Sequence, residues 1–512
     1  MADNGNAASW FVDRHVAEGR SDKVAFEEVA GQQRSLSYGA LAQASGQVAG
    51  ALARAGIRRE ERVACLILDQ IEYVEVFWGC IKSGVVPVLL NTLLPTQLYD
   101  VILRDSRCGT LIVSQELWDV AKGAVADSPY IRNVVVIGDA PEGTQSYEAF
   151  VGGAEILPTI EASADDIAFW LYSSGSTGQP KGVRHVHGAL QSTADTYGAQ
   201  VLGLRQEDVV LSAAKIFFAY GLGNAITFPM SVGAKTLLFN GRPTPDIMLG
   251  LLATHNPTVF CGVPTLYAAM VAAMEIGEAP EHLVRLCISA GEALPSDVGT
   301  KWAQLIGADI LDGVGSTEML HIFLSNAVGD LEYGTSGIAV PGYVLRLVDE
   351  HGGDVGSGEV GELLVQGGSA ADGYWNQRIK SRDTFEGVWT RTGDKYERRE
   401  DGRYVYCGRT DDMFKVSGIW VSPFEVEQAI SAHDAVLEAA VVPKRDGDGL
   451  EKPKAFVVLK DSSRAQRFDE EIREFVKDRI GKWKYPRWVE IVDDLPKTAT
   501  GKIQRFKLRD EE

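Results

Sequence analysis

The residues best suited to chemistry lie at 172–182, YSSGSTGQPKG. Gly175, Gly178 and Gly182 let backbone N–H groups approach an anion closely. Ser173, Ser174, Ser176 and Thr177 add hydroxyl donors, and Lys181 adds a cation. That donor set suits a polyphosphate. The stretch is not a Walker loop, because Pro180 precedes Lys181 where GxxxxGK[ST] requires Gly. Gly- and Ser-rich composition also marks flexible linkers, so the stretch alone leaves both readings open. Two further clusters carry chemical groups. GSTE (315–318) sets a hydroxyl beside a carboxylate, an arrangement that also caps helices. PKTATGKI (496–503) places Lys502 ahead of a basic tail, QRFKLR.

Elements that would position these groups can be read around them. IAFWLY (167–172) reads as a strand, so the Gly-rich stretch sits at a strand's C-terminal end, where α/β proteins hold ligands. LSYGALAQASGQVAGALARAG (36–56) has helical apolar spacing and stops at Gly56. ERVACLIL (61–68) reads as a buried strand, EYVEVFWGCIKSG (72–84) as a helix and VVPVLLN (85–91) as the next strand. The rhythm returns near 110–137 and at 209–262, which predicts parallel sheet covered by helices. From 331 to 410 short apolar runs alternate with Gly and Asp turns, as in GELLVQG and GRYVYCG, and predict antiparallel β structure. EVEQAISAHDAVLEAAVV (425–442), KAFVVL (454–459) and DEEIREFVKDRIGKW (469–483) predict a small α+β unit. CGRTDD (407–412) marks the junction. The expected fold class is therefore α/β: a large N-terminal domain, 1–410, of stacked α/β sheets with a β-rich subdomain, and a small C-terminal α+β domain, 411–512.

The chain has 512 residues, 45% hydrophobic and 23% charged, the range of soluble globular proteins. Its formal net charge of −20 argues against nucleic acid and anionic membrane as partners. From Asp411 onward there are 21 acidic and 19 basic residues, net −2, so −18 lies upstream and a polyanion meets less repulsion near the C-terminal end. The polar start, MADNGNAASW, lacks an apolar signal region, and no run approaches 18 apolar residues. Six scattered Cys without a CxxC argue against a disulfide scaffold or zinc site, and fit a cytoplasmic setting. A homodimer is compatible with these features.

YSSGSTGQPKG resembles the signature loop of the superfamily that contains acyl-CoA synthetases, peptide-synthetase adenylation domains and beetle luciferases. GVGSTE (313–318), GELLVQG (361–367), RTGD (391–394), GRTDDMFKVSG (408–418) and PKTATGKI (496–503) follow in that family's order, and LSYGAL (36–41) and IKSGVVPVLLN (81–91) match its early motifs. The resemblance implies ATP-dependent activation of a carboxylate as an acyl-adenylate with loss of pyrophosphate, then transfer to a thiol such as coenzyme A. It implies that Ser173, Ser174, Gly175, Ser176, Thr177, Gly178 and Lys181 hold the β- and γ-phosphates. Thr317 meets the α-phosphate and Glu318 carries Mg²⁺. Gly291, Glu292, Asp312, Gly313, Val314, Gly315 and Ser316 surround the nucleotide, Asp312 receiving the adenine amine. Many relatives have an aromatic residue at the position of Val314, so stacking on adenine is lost here. Asp394 takes the ribose hydroxyls with help from Arg409. Lys502 bridges the carboxylate and α-phosphate. Asp411 matches a hinge about which the mobile C-terminal domain turns, presenting Lys415 and Gly418 for thioester formation.

Within the family the chain is most similar to benzoate-type aryl-CoA ligases. Many relatives have His at the position of Phe218. FFAY (217–220) and GSTEMLHIFLSN (315–326) carry the likeness. It implies a narrow apolar slot lined by Phe218, Ala219, Tyr220, Gly221, Gly291, Gly315, His321 and Ile322, taking benzoate, 2-aminobenzoate or a hydroxybenzoate. Ordinary core packing accounts for FFAY equally well, and His321 either bonds a ring substituent or closes the wall. Lys444, Arg445, Lys452, Lys454, Lys482, Lys484 and Arg487 are candidates for the phosphates of coenzyme A. The alternatives are an aryl-acid adenylating enzyme that loads a carrier protein, a luciferase-like oxygenase, or a silent nucleotide binder.

Overall fold

The computed structural model describes residues 4–174, 180–410, 412–416, 419–447, 450–461, 468–481, 484–497 and 503–510. They divide into two compact units: Met1–Val344 with Val365–Thr390, and Leu345–Leu364 with Arg391–Glu512.

The first unit is built on two large sheets. In the eight-stranded sheet, Arg62–Leu66 lies parallel between Val86–Leu89 and Thr110–Ser114, and Val86–Leu89 in turn lies parallel to Ile167–Ser174. The expected strand–helix–strand rhythm is present. Tyr38–Arg54 is a helix because Ser37 caps it, accepting from the Ala40 N–H, and because Tyr38, Leu41, Val48 and Leu52 form one buried stripe. The helix Ile71–Ser83 ends on Gly84, whose φ of +70° suits glycine. These two helices meet at Gly79, where a Cβ would lie 2.5 Å from the Val48 side chain.

The other sheet has nine strands. Six central strands, Val24–Glu28, Lys235–Leu238, Val209–Ser212, Val259–Gly262, Leu286–Ala290 and Ile310–Gly315, run parallel. Ile322–Ser325 and Ile338–Ala339 extend one edge in antiparallel sense. Helices Pro245–His255, Pro264–Ile276 and Ser296–Ile306 contribute Met248, Leu252, Tyr267, Met270 and Trp302 to a core over Phe260 and Cys287 of the sheet.

One connection is not part of the strand–helix–strand rhythm. Ile167–Ser174 does not lead through a crossover into a parallel strand. It returns directly along Pro180–Val186 as an antiparallel hairpin, with Ser173 opposite Lys181 and Tyr172 opposite Gly182. A tip of only five residues is too short for a crossover, which takes a dozen or more.

The second unit contains the expected antiparallel pairing, Asp394–Arg398 against Tyr404–Arg409. It also holds a hairpin of Phe414–Val416 and Ile419–Val421. A sheet of Val436–Arg445, Glu451–Leu459 and Trp488–Ile491 packs Val441, Ala455 and Val457 against Val426, Ile430, Ile472 and Val476 of two helices.

Candidate active site

Gly175, Ser176, Thr177, Gly178, Asp411, Gly418, Lys482 and Lys502 lie outside the described residues, as do the side chains of Ser174 and Lys415. The remaining candidates can be placed.

The hairpin expected to meet phosphate brings Ser173 and Lys181 side by side, one pair from its turn. Ser173 Oγ is buried and has no hydrogen-bond partner among the described residues, an unmet donor where a phosphate oxygen is expected. Lys181 is 8% exposed, and its Nζ lies 3.7 Å from Glu318 Oε1. Glu318 follows the strand Ile310–Gly315 in a turn, not in a helix, so its carboxylate is not part of a helix cap. Ser316 Oγ closes that turn by accepting from the Met319 N–H, and the Thr317 carbonyl accepts from the Leu320 N–H. Among the described residues no cluster of three His, Cys, Asp or Glu could hold a metal ion. A carboxylate 3.7 Å from a lysine expected to meet phosphate fits Mg²⁺, which takes one or two carboxylates plus phosphate oxygens.

Residues expected to surround the nucleotide converge on neighbouring strands. Asp312 pairs with Ser289 and Gly313 with Ala290. Gly291 follows at once with φ +100°, and Glu292 and Leu294 come next. Asp312 is 5% exposed. Its Oδ2 accepts from the Leu294 N–H at 3.2 Å, while Oδ1 is buried without a partner among the described residues. Burial pushes this carboxyl up to about 7, opposed by the Leu294 hydrogen bond. An unmet acceptor at a strand's C-terminal end suits an exocyclic amine. Val314 lies half-buried and Gly315 exposed on the same strand. A Cβ at Gly315 would fall 2.5 Å from the His321 carbonyl oxygen, so only glycine fits.

The residues expected to line the acid pocket gather around His321. Phe218, itself extended, ends a turn whose Lys215 carbonyl accepts from the Phe218 N–H, and Ala219–Leu222 begins a helix that widens into a π-turn over Gly223–Thr227 and continues as Phe228–Val232. His321, 3% exposed, has its ring centroid 5.4 Å from Tyr197, 5.6 Å from Tyr220 and 4.5 Å from Phe228. Its Nε2 lies 3.2 Å from the Tyr220 carbonyl. A carbonyl only accepts, so Nε2 carries the proton and Nδ1 is a bare acceptor. That Nδ1 is buried without a partner among the described residues. Burial lowers the imidazole to about 3, with the Tyr220 bond opposing, so the ring is neutral. The Tyr220 hydroxyl lies 3.0 Å from the Gly262 carbonyl and 2.9 Å from the Ile288 carbonyl, which commits it to the backbone. Ile322, also buried, stands opposite Gly315 and would meet a Cβ on Gly313 at 2.8 Å.

Sequence reasoning missed three residues here. Asp69 is buried, and both of its oxygens lie 3.3 Å from the Ile216 N–H, anchoring the segment that presents Phe218. Lys215 donates to the Phe239 carbonyl at 2.5 Å. Tyr374 donates its hydroxyl to Glu318 Oε1 at 2.7 Å. Only position in the fold reveals them, since none sits in a spacing that signals chemistry.

In the second unit Asp394 and Arg409 are cross-strand partners, and Arg409 Nη1 donates to Asp394 Oδ1 at 3.0 Å. Most of the described basic candidates have acidic or aromatic neighbours. Lys484 pairs with Glu425 at 2.7 Å, Lys454 with Glu490 at 3.1 Å, and Lys452 lies 4.0 Å from Asp446. Lys444 stands over the Trp488 ring and faces Lys452 across the strands. Arg487 stacks on Tyr485 at 3.8 Å, and Arg445 is opposite Glu451. Among the described residues no helix is long and apolar enough to cross a membrane.

Residues 13–375 match the AMP-binding enzyme family, and residues 425–502 match the AMP-binding enzyme C-terminal domain. The chain is 53% identical over 515 residues to a 4-hydroxybenzoate–CoA/benzoate–CoA ligase of Rhodopseudomonas palustris, covering 99% of this chain and 94% of that protein. It is 50% identical over 508 residues to a benzoate–CoA ligase of Thauera aromatica, covering 98% and 95%. Its structure is similar to that of an anthranilate CoA ligase in complex with anthranoyl-AMP, with a TM-score of 0.94 at 41% identity over 99% of this chain and 97% of the other.

Proposed function

The chain belongs to the AMP-binding enzyme family and is an ATP-dependent, AMP-forming aryl acid–CoA ligase, and we propose from this how its residues divide the work. The observation that carries the aryl assignment is the aromatic enclosure of neutral His321 beside the strand that bears Asp312. The acid is benzoate or a ring-substituted benzoate. In the first half-reaction a carboxylate oxygen attacks the α-phosphorus of ATP. The bond to pyrophosphate breaks, giving aryl-AMP. In the second, the thiol of coenzyme A loses its proton and attacks the carbonyl carbon, and AMP leaves.

Ser173, Lys181 and the hairpin tip hold the departing phosphates, Thr317 the α-phosphate, Asp312 the adenine amine, and Asp394 with Arg409 the ribose. A bound Mg²⁺ would supply charge neutralisation at the phosphates, with Glu318 as its carboxylate. Lys502 holds carboxylate and α-phosphate together while charge develops. Residues 411–512 turn about Asp411, and Lys415 and Gly418 then serve the thiol step. The six free cysteines favour a cytoplasmic setting.

The test separates the half-reactions. Lys502→Ala abolishes benzoate-dependent pyrophosphate exchange but still converts supplied benzoyl-AMP and coenzyme A to thioester. Equal loss of both steps overturns the role given to Lys502. No exchange by the parent enzyme across benzoate, aminobenzoates and hydroxybenzoates overturns the substrate class.

A further inference from the structure

The geometry points to Tyr374 as a positioning residue that keeps Lys181 and Glu318 from collapsing onto each other, so that both remain available to a metal-bound triphosphate. This rests on the reading of Glu318 as the metal carboxylate and Lys181 as a phosphate contact.

Tyr374 is 5% exposed, on a two-residue strand that pairs antiparallel with the phosphate hairpin, Tyr374 opposite Val183. Its hydroxyl donates to Glu318 Oε1 at 2.7 Å. The Lys181 ammonium lies 4.8 Å from the centre of the Tyr374 ring and 3.7 Å from the same Glu318 oxygen. One phenol therefore meets the carboxylate with its hydroxyl and the ammonium with its face. Hydrogen bonding satisfies Oε1 with a neutral donor. Cation–π attraction gives the ammonium a second place to rest. Remove both and the pair, now 3.7 Å apart, can tighten to a hydrogen-bonded contact, in a partly buried site where such a pair is harder to part. Magnesium and phosphate then compete against that pair.

The surroundings fix the phenol. Val183, Ala371 and Phe385 pack around it, with the Phe385 ring centroid 5.4 Å away. The Tyr374 N–H donates to Ser381 Oγ at 3.0 Å. The Ala371 N–H donates to the Glu318 carbonyl at 2.8 Å, and Ser369 Oγ donates to the Met319 carbonyl at 2.7 Å. The segment that carries Tyr374 is thus bonded both to the hairpin bearing Lys181 and to the turn bearing Glu318. Because both contacts fall on Oε1, the second oxygen is the one a cation can take without breaking the tyrosine bond.

Tyr374→Phe removes the hydroxyl and keeps the ring, so packing is preserved. Mn²⁺ binding to the enzyme with α,β-methylene-ATP is measured by electron paramagnetic resonance, without aryl acid. The Phe variant is expected to weaken Mn²⁺ about 10-fold, the low end for loss of a group that orients a metal ligand. The Mg²⁺ needed for half-maximal pyrophosphate exchange rises by a similar factor, while the KM for benzoate and thioester formation from supplied benzoyl-AMP hold. Tyr374→Leu, which also removes the ring face, is expected to lose metal-free ATP affinity beyond the Phe variant. Equal metal-free affinity in the two overturns the role of the ring. Unchanged Mn²⁺ affinity in Tyr374→Phe, with a clear loss in Glu318→Gln, overturns the proposal. Unchanged affinity in both overturns instead the assignment of Glu318 to the metal.

Discussion

Burial sets the proton chemistry of the two residues proposed to meet the adenine and the aryl acid. Asp312 is raised to about 7, so its proton comes and goes near neutrality. Only the ionised form leaves Oδ1 as a pure acceptor for an amine. The KM for ATP is therefore expected to fall as pH rises through about 7. Asp312→Asn keeps an acceptor and removes the titration, so its ATP KM is flat from pH 6 to 8; steady-state kinetics across that range checks this. His321, lowered to about 3, stays neutral at any working pH and contributes no inflection to kcat/KM for the aryl acid. Its bare Nδ1 can reward a ring O–H or N–H. His321→Phe is expected to leave benzoate within about 3-fold while a substituent that used Nδ1 loses roughly 10-fold or more, read from a kcat/KM panel. These residues were legible because they sit inside ordered motifs. Tyr374 and Asp69 were not, because their importance comes from register and packing, which a spacing does not encode.

At the scale of elements, the second unit is held by a charged cluster around the helix Arg505–Asp510, which begins three residues after Lys502. Arg505 donates to both Glu427 oxygens at 2.9 and 2.7 Å, and Glu427 also accepts from the Val441 N–H at 2.7 Å. Arg509 donates to Asp412 at 2.7 Å, and Arg505 lies 3.6 Å from it. Arg505→Ala strands the buried Glu427 carboxylate, at a cost of about 2–4 kcal/mol in urea unfolding of this unit. Arg505→Lys recovers little, because one ammonium cannot reproduce a two-pronged bond. An unchanged midpoint in Arg505→Ala would show that water already satisfies Glu427. In the first unit, Gly223→Ala aims a methyl 2.3 Å from His321 Cδ2. The aryl-acid KM is expected to rise about 10-fold or more with the ATP KM little changed. Helices and parallel strands of the first unit were legible from periodicity and their Gly stops. The phosphate hairpin was not, since IAFWLY reads the same whether the chain next crosses over or turns back.

Across the whole molecule, buried groups oppose one another in acid. His15 and His187 are lowered to about 4, and His185 and His321 to about 3, burial being the main cause in each. The unfolded chain protonates them below 6.5, so the stability of their neutral burial is full above that pH and lost as pH falls toward 3. Asp69 at about 6, and Glu75 and Asp312 at about 7, are raised by burial and act in the opposite sense. Their contribution is lost as pH rises from about 4 to 7. Between roughly pH 4.5 and 6 the two sets nearly cancel, and Tm is expected to change little; below about 4 His185 and His321 still take up protons only in the unfolded chain, the lowered carboxylates Glu28 and Asp208 lose their ion pairs, and it drops steeply. A Tm that climbs steadily from 4.5 to 6.5 in calorimetry would mean that the carboxyls are ionised in the fold. The scattered cysteines carry a different consequence. Five are buried and Cys407 is half-buried; burial pushes Cys108, Cys287 and Cys407 up to about 12 and raises Cys65, Cys80 and Cys261 as well. Only a thiolate attacks a disulfide. An enzyme that handles a thiol at every turnover thus keeps its own sulfur out of exchange, and oxidised coenzyme A finds nothing on it to cap.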